Sequence, residues 1–213
     1  MKKLLFGLFA LVSISSLAAG EFNVYGKFGV DLHSNFSKIK DDDGETVLPK
    51  KAKSGYSFFL EGTTEIAPNL EFGLGLGYVA RKGKNYSYDD DFNVPPTKVT
   101  GRMVSYDSIP LYLTTKYNLN TGTSFKPYGK IDLGYSFNKI NKTDEYENGV
   151  KIEGDDGKMK NGIYFGVGLG VEYNNFLTEL SYHLTKSKWT AEGESDRFDN
   201  KAVRLSVGYK FNF

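Results

Sequence analysis

Along eight stretches of this 213-residue chain, apolar and polar side chains take turns one residue at a time. The closing stretch, Lys201 to Phe213, is the clearest. Val203, Leu205, Val207, Tyr209, Phe211 and Phe213 fall on one face, and Arg204, Ser206, Gly208, Lys210 and Asn212 on the other. A period of two marks a β-strand with one greasy side and one wet side. The same alternation recurs at Phe22–Leu32, Gly55–Ile66, Leu70–Ala80, Tyr106–Leu119, Phe125–Asn138, Gly162–Tyr173 and Phe176–Thr185. The connections alternate too. Long polar loops occupy His33–Ser54, the stretch from Lys82 into the Arg102 region, Lys139–Asn161 and Lys186–Asn200. Between them fall tight turns at Ala67-Pro68-Asn69, Asn120-Thr121-Gly122 and Asn174-Asn175.

Strands that cross a membrane need about 9–11 residues, and an open sheet edge cannot persist in hydrocarbon, so the set must close on itself. The expected fold is all-β: an eight-stranded antiparallel up-and-down transmembrane β-barrel. Past the first 20 positions no long apolar run appears, as expected where lipid-facing and inward residues alternate and cancel. The 15 Tyr and 16 Phe fit aromatic girdles at the two membrane interfaces. A secreted β-sandwich, the main rival, does not require a long apolar face on every strand. Pro110 and Pro127 fall inside predicted strands and should disturb the ladder there.

Lys2 and Lys3, an apolar stretch from Leu4 to Leu17, and the small residues Ala18, Ala19 and Gly20 read as a secretory signal peptide over residues 1–20, cleaved between 18 and 20. The apolar stretch is shorter than the ~20 residues of a spanning helix. A single barrel domain, 21–213, is left. The chain has no cysteine, which excludes disulfides and thiolate metal sites. The net charge of +1 falls to −1 without the two leader lysines, which gives no reason to expect a nucleic-acid partner.

The last strand carries a polar residue, a glycine and two spaced aromatics at its end: Ser206, Gly208, Phe211 and Phe213, with Tyr209 adding another ring. It resembles the C-terminal signature of bacterial outer-membrane barrels, in which this strand is read by the barrel-assembly machinery. Ile109 to Leu113 and Lys126 to Gly129 resemble the middle of small porin-like barrels. Taken whole, the mature chain resembles the small eight-stranded outer-membrane barrels of the OmpA-barrel and OmpX type. The resemblance implies a Gram-negative outer membrane as location, with outer-membrane lipid and lipopolysaccharide as neighbours. An even strand number puts both termini on one side, the periplasmic one, and the four long loops outside.

An eight-stranded barrel is just wide enough inside to be filled by side chains. Strand parity turns Lys27, Arg81, Lys116, Lys126, Lys130, Arg204 and Lys210 inward, opposite Asp31, Glu61, Glu65, Glu71, Asp132, Glu172 and Glu179, with His183 among them. Such balance predicts a self-neutralising network that plugs the lumen, since buried charge is tolerable when paired. A conducting pore would more naturally show an excess of one sign. The inward glycines Gly73, Gly75, Gly77, Gly166, Gly168 and Gly170 are expected to leave room for the long charged chains. Gly75 to Ala80 matches a dinucleotide fingerprint in form, but one that has meaning only between a strand and a helix.

Ser181, His183 and Glu179 share one inward row, yet residues two apart on a strand sit about 6.5–7 Å apart. A relay among them is therefore not expected, and His183 reads as a lumen histidine. His33, near the rim, has no convincing serine partner. The acid clusters Asp41–Asp43, Asp89–Asp91 and Asp155-Asp156 lack the alternating pattern of a calcium loop, so no metal or cofactor is expected. Phe36, Tyr86, Tyr88, Phe92, Tyr146, Trp189 and Phe198 are expected as exposed loop aromatics, for recognition of an extracellular ligand or for anchoring at the headgroups. The function expected is a non-enzymatic structural and surface-interaction barrel. The runner-up is a narrow porin-like conduit for small or hydrophobic solutes, and the weakest reading is a lipid-modifying enzyme.

Overall fold

A computed structural model describes residues 22–37, 54–90, 97–141, 145–152, 157–191 and 194–213. The expected leader, Asp41–Asp43, Asp91, Phe92 and Asp155-Asp156 lie outside the described residues, as do the side chains of Tyr86, Tyr88 and Asp90. Eight strands close into an antiparallel barrel in which each pairs with its neighbours in sequence and the first with the last. They are β1 (Phe22–Phe36), β2 (Tyr56–Ala67), β3 (Leu70–Ala80), β4 (Ser105–Asn118), β5 (Phe125–Asn141), β6 (Gly162–Tyr173), β7 (Phe176–Thr185) and β8 (Asn200–Asn212).

Chain chemistry sets the short turns. Asn69, Gly122 and Asn174 sit at φ of 65°, 69° and 53°, the left-handed conformation that Gly and Asn tolerate best. The start of β1 and the last residue meet at this turn end, where the Phe213 N–H donates to the Phe22 carbonyl at 3.0 Å. Pro110 leaves its mark on one side only. The β3–β4 ladder breaks off after Leu76↔Leu111 and resumes at Val79↔Ser108, because proline has no N–H to give, while the β4–β5 ladder passes through Pro110↔Ser136 unbroken. Pro127 lies beyond the end of the β4–β5 ladder at Asn118↔Tyr128.

β1 continues past its expected end at Leu32. A bulge between Asp31 and His33 adds one residue against β8, and the side-chain parity flips there. Below it Tyr25, Lys27 and Asp31 point inward; above it Ser34 and Phe36 do. Segments expected as loops also pair. Asn85–Asp90, Thr97–Arg102, Glu145–Glu147 and Val150–Ile152 form a four-stranded sheet, and Lys158–Met159, Lys188–Ala191 and Glu194–Arg197 a three-stranded one.

The outward faces of the barrel strands are apolar and open. Phe58, Leu111, Leu133, Leu169, Leu180 and Leu205 are each more than two-fifths exposed. Soluble proteins rarely leave apolar patches of this extent uncovered. Tyr117, Phe125, Tyr173, Phe176, Tyr209 and Phe211 ring the turn end, and Tyr56, Tyr78, Tyr135 and Phe137 stand toward the loop end. The Phe176–Tyr209 and Tyr209–Phe211 rings meet edge to face at 5.1 and 4.9 Å, linking β7 and β8. Aromatic rows above and below an aliphatic band are what two membrane interfaces select.

Candidate functional site

Polar side chains from all eight strands converge inside the barrel, in layers. Nearest the turn end, Glu71 accepts from the Tyr25 hydroxyl (2.9 Å), Thr63 Oγ1 (2.6 Å) and Asn118 Nδ2 (2.7 Å). Lys116 Nζ sits 2.8 Å from Glu172 and 3.6 Å from Glu71. It also lies over the rings of Tyr25 and Tyr128, 4.4 and 4.6 Å from their centroids. Lys210, half-buried, reaches Glu172 at 3.4 Å.

The middle layer centres on Glu61. Lys27 lies 2.8 Å away, Tyr112 donates its hydroxyl at 2.6 Å, and Lys130 makes a further ion pair. Lys27 also reaches Glu179 (3.3 Å), which accepts from the Tyr128 hydroxyl (3.1 Å), and Lys130 reaches Asp132 (3.1 Å). Above it Arg204 pairs with Asp31 at 2.7 Å and lies over the Phe59 ring. At the top, buried Arg81 is held by neutral acceptors: Asn200 Oδ1 at 2.9 Å, Thr185 Oγ1 at 3.1 Å and Ser108 Oγ. Its guanidinium stacks 5.1 Å from the Tyr106 ring centroid.

Six cations (Lys27, Arg81, Lys116, Lys130, Arg204, Lys210) thus face six carboxylates (Asp31, Glu61, Glu71, Asp132, Glu172, Glu179), all buried except half-buried Lys210. Two residues assigned inward do not join them. Glu65 and Lys126 share the inward parity but are exposed, because they lie at strand ends where the wall meets solvent. Glu65 instead accepts from the Asn69 N–H at 3.1 Å, closing its own turn.

Gly166 and Gly168 leave room, as expected, for Asp132 and Glu179, but three other inward glycines serve a different purpose. A Cβ on Gly75 would strike the Tyr112 ring, on Gly77 the Phe59 ring and on Gly170 the Tyr128 ring. Aromatic rings, rather than charged chains, occupy the space these glycines leave. Phe59, Tyr112 and Tyr164 form one buried cluster with Val79, and Tyr25 and Tyr128 another with Leu177. Their inward parity was legible, but nothing in the composition separates a lumen tyrosine from a girdle tyrosine.

Phe36 and Phe198 are a second correction: both are buried, stacked at 4.7 Å, and join Tyr106 in a cap over Arg81, with Trp189 packed alongside. Tyr146 is exposed. Ser181 and His183, two apart on β7, are nevertheless in hydrogen-bond contact. Ser181 Oγ lies 2.8 Å from His183 Nε2, because both side chains lean along the strand. The other ring nitrogen, Nδ1, meets the Tyr164 hydroxyl at 2.7 Å, while Glu179 is taken up by Lys27 and Tyr128. The imidazole is sandwiched between Phe59 and Tyr164. Among the described residues no group of three or more His, Asp or Glu is placed to hold a metal.

Among the described residues, the centre of the charge network leaves little space. A void among Tyr25, Lys27, Glu61, Lys116, Tyr128 and Glu179 measures about 10 Å³, roughly one water. The gap around His183 and Tyr164 has no room for a water-sized sphere. A larger cleft, about 310 Å³, lies on the outer side of the wall at the loop end.

Residues 4–211 match the family described as the outer membrane protein beta-barrel domain. The chain belongs to the outer-membrane β-barrel family. An uncharacterized protein of Pasteurella multocida (strain Pm70) is 36% identical to it over 99% of this chain and 98% of its own length. Among solved structures, Neisserial surface protein A superposes with a TM-score of 0.51 at 15% identity, covering 89% of this chain and 97% of that one. The outer membrane protein OprG of Pseudomonas aeruginosa gives 0.50 at 16%, covering 92% and 96%. At these identities the two structures speak for the fold alone. The family places this outer-membrane barrel in the bacterial outer membrane.

Proposed function

We propose that the protein is a non-enzymatic outer-membrane barrel whose lumen is plugged by its own ion pairs and aromatic rings, and which serves a structural and surface-interaction role. The observation that carries this is the roughly one-water void left at the centre of the charge network. Six cations against six carboxylates leave no excess sign to select an ion. His183 and Ser181 are buried among rings, so their short contact stabilises the interior rather than meeting a substrate. Both chain ends would sit in the periplasm, beside the short turns, with the long loops facing outward. There the loop sheets offer a surface to an extracellular ligand. The last strand, through Ser206, Gly208, Tyr209, Phe211 and Phe213, would engage the barrel-assembly machinery.

The test is transport by the purified barrel in planar bilayers and in sugar-loaded liposomes. The expected result is no unitary steps of porin size and no swelling above that of protein-free vesicles. Stable open-channel steps or rapid sugar entry would overturn the closed lumen and favour the narrow conduit.

A further inference from the structure

The cleft on the outer wall has a chemistry the lumen lacks. It is lined by Tyr56, Arg81, Lys82, Arg102, Asp107 and Asn141, among others, and so spans the loop ends of four adjacent strands at the root of the Asn85–Arg102 hairpin. Its volume of about 310 Å³ lies at the lower end for sites that take a small-molecule group, roughly 300–1,000 Å³. Asp107, the anion in this lining, is already saturated. Its Oδ2 accepts the Tyr78 hydroxyl at 2.7 Å, and its Oδ1 accepts the Arg81 N–H at 3.1 Å and Asn141 Nδ2 at 3.0 Å. Lys82 and Arg102 are different. Both are exposed, and among the described residues neither side chain has a hydrogen-bond or ion-pair partner. Two cations without an ion-pair partner beside one carboxylate, itself held by uncharged donors, leave the cleft with a positive balance.

The cleft also sits at a telling height on the wall. Tyr56 and Tyr78, 50% and 43% exposed, belong to the outward row that ends at the cleft. Tyrosines so placed mark the level where hydrocarbon gives way to headgroups. Cations at that level attract anionic lipid. A guanidinium matches phosphate geometry, and an ammonium adds a point charge.

We propose that this cleft binds the phosphate of a membrane lipid headgroup, with Lys82 and Arg102 as its cationic contacts and Tyr56 packing against the lipid below. The site stands on the outer wall, so it is independent of whether the lumen conducts.

The test uses the mature barrel refolded in neutral detergent micelles, with bound lipid counted by native mass spectrometry. The probes are diphosphoryl lipid A, phosphatidylglycerol, an uncharged diacylglycerol and inorganic phosphate. Wild type should retain one phosphorylated lipid, and K82A/R102A should bind it about tenfold more weakly or worse. R102K should bind between the two, and heat-modifiable migration on gels should show every variant folded. Should the double variant not refold, K82Q and R102Q singly carry the comparison. Equal retention by wild type and the neutralised variants would overturn the proposal, as would equal retention of diacylglycerol. Complete displacement of lipid by an equimolar amount of inorganic phosphate would make this a free-anion site and overturn the lipid assignment.

Discussion

Glu61 is approached by Lys27, Lys130 and the Tyr112 hydroxyl at once, all buried. Removing one member of such a group leaves charges stranded away from water, which typically costs about 3–5 kcal/mol. Glu61→Leu should therefore lower the stability of the barrel by about that much, read as the urea midpoint in detergent micelles. Lys126→Ala, at the exposed rim, should change it by less than about 0.5 kcal/mol. The two residues are alike in inward parity and differ in depth. Alternation tells which way a side chain points, and that was enough to find Lys27, Glu61, Lys130, Asp132 and Glu179. It carries no information on how far a position lies from the strand end, which is why Glu65 and Lys126 were counted inside. The Ser181–His183 contact was missed for a related reason: Cα spacing along a strand ignores the lean of two flexible side chains toward each other.

Strands β3, β6 and β7 match their alternation end for end, since each adjoins a tight turn at one end and carries no bulge. β1 and β5 run further than expected, and the hairpins beyond the wall were not foreseen at all. Those segments are only two to six residues long, too short for a period of two to stand out. The glycine rows of β3 and β6 were visible, but their partners were not, because a glycine does not reveal what lies across from it. Gly75→Ala would drive a methyl into the Tyr112 ring, and overpacking of this kind costs typically about 1–3 kcal/mol. Gly129→Ala would place its methyl outward, 3.8 Å from Leu169, an ordinary contact. The expected outcome is a lowered urea midpoint and reduced refolding yield for the first, and neither change for the second.

For the molecule as a whole, closure and delivery are separable. The bond that joins the last residue to the start of β1 is made by the Phe213 backbone, and its side chain is 80% exposed. Phe213→Ala should leave the barrel refolded in micelles with its stability within about 0.5 kcal/mol of wild type. The same variant should reach the outer membrane in smaller amount, measured by fractionating cell envelopes, if the terminal ring is what the assembly machinery reads. Equal losses in both measurements would instead make the ring a packing element. The bulge in β1 matters at this scale too. Inward and outward sides repeat every two residues, so a closing seam could slide by that amount and still look correct from lipid and lumen alike. A single half-step in one stave removes the ambiguity: only one alignment of β1 with β8 puts Asp31 beside Arg204 below it and Phe36 beside Asn200 above. The cylinder can lock in one diameter and tilt, as a key with one offset tooth fits a single depth of the lock.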